Sequence, residues 1–177
     1  AKVLEQHAGQ SHLVLIIGTP DPDAISSALA LQNLNALFEI DTTVLCFANV
    51  SHNENRALVK KLGLKLVRYD ETLDLAQFSA YSIVDSQRYH TPIDGRLHEH
   101  DVKFLAFVDH HRADGTVIPA LFTDIRESAQ STAAIFTEYL KEAYPKGLEP
   151  GDPDHVRLAT ALMHGIRSDT QKFLLAS

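Results

Sequence analysis

Two aspartates, one proline apart, stand where the chain leaves an apolar run. The stretch "GTPDPDA" (18–24) follows "LVLII" (13–17) and carries Asp21 and Asp23. Alone, the pair reads as a turn residue and a helix N-cap. Two more apolar runs end in similar chemistry. Asp85 closes the run in "YSIVDS" (81–86), and Asp109 closes "KFLAFVD" (103–109), followed at once by His110 and His111. Gathered carboxylates repel one another and raise each other's pKa unless a cation lies among them. A mixed set of carboxylates and imidazoles suits Mn2+, Mg2+ or Fe2+, whereas a structural Zn2+ site would favour Cys and His. Two such ions about 3.5–4 Å apart can activate a water and clamp the attacking and leaving oxygens of a phosphate ester.

The elements around these residues must bring them together. Five short apolar runs read as strands, at 12–18, 42–48, 64–69, 81–86 and 103–109. Several are apolar on consecutive residues, the pattern of strands covered on both faces. Helix-like segments lie between and after them. One spans 24–38, with Asp23 as its N-cap, and another spans 53–62 and stops at Gly63. A third spans 128–143, opening with Ser128 and closing before Pro145. A fourth spans 152–167, with Pro153 at its first helical position. This alternation implies an α/β fold, an open, mainly parallel five-stranded sheet with helices on both faces. Ligands of such sheets bind at the carboxyl ends of the strands, the edge that carries these acids and imidazoles.

The net charge is −7, and neither a basic stripe nor a basic tail stands out along the sequence. That argues against long duplex nucleic acid and against a membrane as partners. Metal ions among the acids would still admit a small anionic substrate. The single Cys46, inside "TTVLCFA" (42–48), reads as a buried core thiol. No apolar stretch approaches the ~18–20 residues of a membrane span, and the N-terminus lacks a signal pattern, so a cytoplasmic setting is expected. His90, His98 and His100 fall in a polar, loop-like segment that reads as surface. Phosphate-loop, serine-hydrolase and zinc-ribbon motifs are absent.

The ordered motifs "PDPDA", "VDS", "DHH" (109–111), "ESAQSTAAI" (127–135) and "HGIRSDTQKF" (164–173) resemble those of the DHH phosphoesterase superfamily. That superfamily holds RecJ-type exonucleases, manganese-dependent inorganic pyrophosphatases, and oligoribonucleases that also dephosphorylate 3′-phosphoadenosine 5′-phosphate. The motif wording is nearest the last branch. The match spans residues 13–173, and the chain reads as a single N-terminal DHH domain, 1–177. The resemblance implies a phosphoesterase that hydrolyses phosphate esters of small nucleotides or short oligonucleotides by metal-activated water. The expected cofactor is Mn2+, two ions, with Mg2+ as the substitute. Asp21 matches a ligand of the first metal, Asp23 and His110 match ligands of the second, and Asp85 matches the bridging ligand. Asp169 matches a fourth-motif metal ligand. Asp109 is expected to orient an imidazole. His111 is expected at the substrate phosphate, as a general acid when protonated.

Two departures accompany the resemblance. The oligoribonuclease branch keeps a first-metal histidine at the position of Ile17, and the RecJ branch keeps an acid at the position of Thr19. This motivates an alternative expectation, a degenerate, non-catalytic nucleotide- or metal-binding regulatory domain. The superfamily's glycine-rich C-terminal substrate-binding domain (DHHA1-type) also has no counterpart before Ser177, so further domains are expected C-terminal to it in the natural protein. Exposed sheet edges would allow a homodimer.

Overall fold

The computed structural model describes residues 2–113 and 115–171. Lys172 and Phe173, the end of the fourth motif, lie outside the described residues. In chain order the elements are α1 (Lys2–Glu5), β1 (Ser11–Ile16), α2 (Pro22–Ala36), β2 (Asp41–Cys46), α3 (Asn53–Lys61), β3 (Leu66–Arg68), β4 (Ala80–Val84), α4 (Asp94–Glu99), β5 (Lys103–Asp109), β6 (Phe122–Ile125), α5 (Thr132–Ala143) and α6 (Pro153–Asp169).

All strand pairs are parallel, in the order β3-β2-β1-β4-β5-β6. The sheet therefore has six strands, one more than the sequence runs indicated. The extra strand, β6, is a four-residue edge strand whose residues are exposed or half-buried, so no apolar run marks it. The chain builds β1, β2 and β3 outward, then returns to lay β4 on the free side of β1. The order thus reverses between β1 and β4, and doubly wound sheets bind ligands at such a reversal. Along β1, Leu13 and Leu15 enter one core while Val14 and Ile16 enter the other. This period-two division explains why the strands read as unbroken apolar runs. One core is covered by α2, α5 and α6, the other by α4 and the segments around Leu75 and Ile93.

Three helix starts differ from the sequence reading. Asp21, in extended backbone, caps α2 by accepting from Ala24 N at 2.9 Å, and Pro22 occupies the first turn. Asp23 is therefore inside the helix rather than its cap. Ser131, not Ser128, caps α5, its Oγ accepting from Ala134 N at 3.1 Å. Part of the segment read as loop folds as α4, set by Asp94, whose Oδ1 accepts from Thr91 N and Thr91 Oγ1.

Helix α6 approaches its neighbours closely at Gly165. A Cβ there would lie 2.2 Å from Ser26 Oγ, 3.0 Å from the Ala133 Cβ and 3.1 Å from Pro22 O. Only a residue without a side chain lets α2, α5 and α6 meet at this point. Toward the opposite end of the sheet, Asn35 Nδ2 donates to His12 Nδ1 at 2.7 Å and to Thr42 Oγ1 at 2.9 Å. His12 then carries its proton on Nε2 and donates to Ser82 Oγ at 2.9 Å. Burial, with His7 adding to it, pushes this imidazole down to about 4. Among the described residues no helix is long and apolar enough to cross a membrane.

Candidate metal centre

The carboxyl ends of β1, β4 and β5 converge at the reversal point, and the last turn of α6 closes over them. Asp23 is fully buried, and both of its oxygens accept backbone hydrogen bonds from the start of α5: Oδ2 from Thr132 N and Oδ1 from Ala133 N, each at 2.7 Å. The partial positive charge of that helix terminus favours the carboxylate. Even so, burial and the nearby Asp85 and Asp169 push Asp23 up to about 8. Asp85 follows β4 in left-handed backbone, φ 53°, a conformation that costs a non-glycine residue energy and clusters at functional sites. Its N–H donates to Val108 O at 3.0 Å, which ties the turn to β5. Its Oδ1 accepts from Thr132 Oγ1 at 3.0 Å. Burial, then Asp21, raise this carboxyl to about 6.

His110 stands in the middle. Its Nε2 lies 3.2 Å from Asp169 Oδ2 and 3.7 Å from both Asp23 Oδ2 and Asp85 Oδ1. It is buried and satisfied by no hydrogen bond. Burial alone would lower this imidazole, but the carboxylates of Asp169, Asp23 and Asp85 outweigh that effect and hold it near 9. His111 Nδ1 donates to Asp109 Oδ1 at 2.7 Å and lies 3.8 Å from Asp85 Oδ1. The imidazole that Asp109 orients is therefore that of His111. The two rings are 4.4 Å apart at 47°.

Two overlapping groups have donor atoms within 4.8 Å of one another: Asp85, His110 and His111, and Asp23, His110 and Asp169. Of the seven residues expected in the site, these groups contain five and share His110. Asp109 supports the first group from behind. Asp21 lies outside both. It caps α2 and lines an adjoining cleft of about 560 Å3 with His52, Asn55 and Ser168. Burial, with Asp169 adding to it, raises its carboxyl as well. Ile17 packs against one of the two cores, and Thr19 is exposed. His90 pairs with Asp94 at 3.0 Å, His98 and His100 are exposed, and none of the three enters either donor group. Ser131 caps α5, and Thr132, within the motif "ESAQSTAAI", holds two of the acids. That motif was the signal for it, although the contacts to Asp23 are made by backbone N–H groups, which any residue type supplies.

The donor set fits a hard or borderline divalent cation. It is all oxygen and imidazole nitrogen, burial and neighbouring carboxylates hold Asp23 and Asp85 high, and one buried nitrogen faces three carboxylates without a hydrogen bond.

No family model matches the chain. A curated relative, the uncharacterized protein MJ1633 of Methanocaldococcus jannaschii, is 35% identical over 162 residues, covering 91% of this chain and 30% of that protein. The chain thus spans less than a third of that relative's length. Among solved structures, an exopolyphosphatase-related protein of Bacteroides fragilis aligns with a TM-score of 0.71 at 18% identity, covering 99% of this chain and 51% of the other. A protein of Methanococcus jannaschii assigned as a family II inorganic pyrophosphatase aligns at 0.62 with 23% identity, covering 93% and 50%. The exonuclease RecJ bound to manganese aligns at 0.52 with 18% identity, covering 97% and 45%. These likenesses show the fold.

Proposed function

We propose that this chain, whose fold is that of a RecJ-like DHH domain, works as the metal-binding half of a phosphoesterase acting on small nucleotides or short oligonucleotides. The observation that carries this reading is His110. An imidazole nitrogen buried without a hydrogen bond, facing carboxylates from α2, the end of β4 and α6, is an arrangement that a divalent cation would satisfy.

Asp23, Asp85, His110 and Asp169 would hold the cation or cations, with His111 at the edge of the group. Mn2+ is the expected ion and Mg2+ the substitute. A bound cation would supply Lewis acidity and make a water nucleophilic near neutral pH. The chain's own groups do the rest. The amino end of α5 fixes the Asp23 carboxylate through two N–H groups, and the Thr132 hydroxyl fixes Asp85. Asp109 holds the proton of His111 on Nδ1, which presents Nε2 to a phosphate oxygen or leaving group.

The test is release of phosphate or mononucleotide by the full natural protein with Mn2+ present. Short RNA, 3′-phosphoadenosine 5′-phosphate, pyrophosphate and cyclic dinucleotides are the substrates to offer. Turnover of at least one, abolished by chelation, is expected. Absence of turnover on all four would overturn the reading.

A second reading is favoured by one observation. Asp21 stands outside both donor groups, with core-packed Ile17 and exposed Thr19 beside it. A non-catalytic domain that binds one metal or a nucleotide would look like this. Activity that appears only in the Ile17→His variant would establish it. Two Mn2+ sites seen by titration calorimetry of the wild type would exclude it.

A further inference from the structure

Residues 55–69 contain Arg56, Lys60, Lys61, Lys65 and Arg68 and no acid, so five of the chain's 16 basic residues fall in one short stretch of an otherwise strongly acidic protein. All five are exposed. None pairs with a carboxylate among the described residues; the lysines and arginines that do are Lys103, Arg126 and Arg157. Two of the five, Arg56 and Lys60, line a groove of about 720 Å3 beside α3 together with Asn49, Val50, Val59 and Leu64.

The groove is organised toward an anion. Arg56 is held at the rim by Val50 O, Ser51 O and the Asn53 Oδ1, contacts that fix its planar fork and leave Nε–H and one Nη2–H to donate elsewhere. Arg68 Nη1 donates to Asn49 Oδ1 at 2.7 Å, which leaves the Asn49 amide N–H groups for another acceptor. Lys65 and Arg68 flank or sit on the edge strand β3, where positive charge also discourages edge pairing. Edge protection does not account for Arg56 and Lys60, which belong to α3. Among the described residues no aromatic side chain lines the groove, so they offer a base no stacking platform.

Helix α3 also borders the cleft beside the metal centre. The first turn of α3, through His52 and Asn55, forms a wall of the cleft that contains Asp21, and Asn55 Nδ2 donates to Pro20 O in the turn bearing that acid. Arg56 is the next residue. Helix α3 is therefore a ridge with the metal-side cleft on one flank and the cationic groove on the other.

We infer that the groove formed by Asn49, Arg56 and Lys60 binds phosphate groups of a linear phosphate chain whose end is presented to the metal centre. The inference deepens, and rests on, the phosphoesterase reading above. It goes beyond that reading by assigning an anion site outside the acid–imidazole cluster and by favouring chains over single phosphates. The contacts are to charge rather than to bases, so binding would be independent of sequence and sensitive to salt.

The experiment is fluorescence anisotropy on this chain with a labelled single-stranded oligoribonucleotide, in chelator so that nothing is hydrolysed. Unlabelled inorganic polyphosphate serves as competitor. Affinity that falls with salt is expected. The double variant Arg56→Glu/Lys60→Glu should bind at least about tenfold more weakly and show a salt slope shallower by about two. Lys141→Glu/Lys146→Glu, the same change of charge at two exposed positions elsewhere, should bind as wild type. Competition by polyphosphate would extend the assignment to inorganic chains, and its failure would restrict it to nucleic acid. Unchanged affinity and slope in the double variant would overturn the inference, even if the natural protein hydrolyses phosphate esters. Groove-dependent binding without any hydrolysis by the natural protein would leave it standing and overturn the phosphoesterase reading alone.

Discussion

Each acid in the centre is set by one specific local device. Asp23 is a carboxylate with two backbone N–H groups on it, so its position is fixed before any ion arrives. Asp85 is fixed by its left-handed backbone and by the Thr132 hydroxyl. Asp109 acts through His111 rather than on a substrate, and partners of this kind are worth about 10–100-fold in activity or metal affinity. Asp109→Asn should therefore lower kcat of the proposed phosphoesterase reaction by about tenfold or more while KM changes little. A lower denaturation midpoint with kcat unchanged would mean that Asp109 serves packing only.

At the scale of elements, the close approach at Gly165 decides how far α6 can settle onto α2 and α5. Asp169 is one turn further along the same helix and reaches His110 only because of that approach. Gly165→Ala places a methyl group where 2.2 Å separates it from Ser26 Oγ. Overpacking of this kind costs about 1–3 kcal/mol. The expected result is a lower denaturation midpoint together with weaker Mn2+ binding by calorimetry. Loss of stability with unchanged metal affinity would separate α6 packing from the site. A serine at the same position should be worse than alanine in both respects.

At the scale of the molecule, cation binding at one end of the sheet and the buried His12 toward the other both bear on stability. An ion that binds the folded chain alone stabilises it by about 2.7 kcal/mol at a hundredfold excess over Kd. For a chain of this size that is a rise in Tm of about 5–10 °C. Addition of Mn2+ should produce it, chelation should reverse it, and Asp85→Asn should abolish it. One pH effect comes from His12, and it runs opposite to that of the raised Asp23 and Asp85 carboxyls, whose stabilising protons are lost as pH rises. The folded pKa of His12, about 4, lies below the usual 6.5. As pH falls, the unfolded chain therefore takes up the proton first. Stability from this group is complete above about pH 6.5 and is lost progressively toward pH 4, by about 3 kcal/mol in all. His12→Gln, which keeps a hydrogen-bonding side chain without the titration, should flatten the acid limb of a denaturation series between those pH values. Parallel acid limbs in wild type and variant would show that the buried imidazole is not its source.

The sequence by itself determined the fold class and the chemical character of the site. Unbroken apolar runs are what strands covered on both faces require, and acids at three strand ends can meet only at one edge of a parallel sheet. It could not show β6, whose exposed edge position leaves no apolar run. Nor could it show that Asp21 rather than Asp23 caps α2, because both are good capping residues and only the backbone conformation chooses between them. Tertiary structure alone made the remaining decisions. It delivered the N–H groups of Thr132 and Ala133 to Asp23 across more than a hundred residues of chain. It placed Arg56 and Lys60, from a basic stretch already visible at 55–69, on the wall of one groove, and it divided the acids into two groups around His110. These depend on which backbones approach one another, and backbone groups carry no residue type for a sequence to reveal.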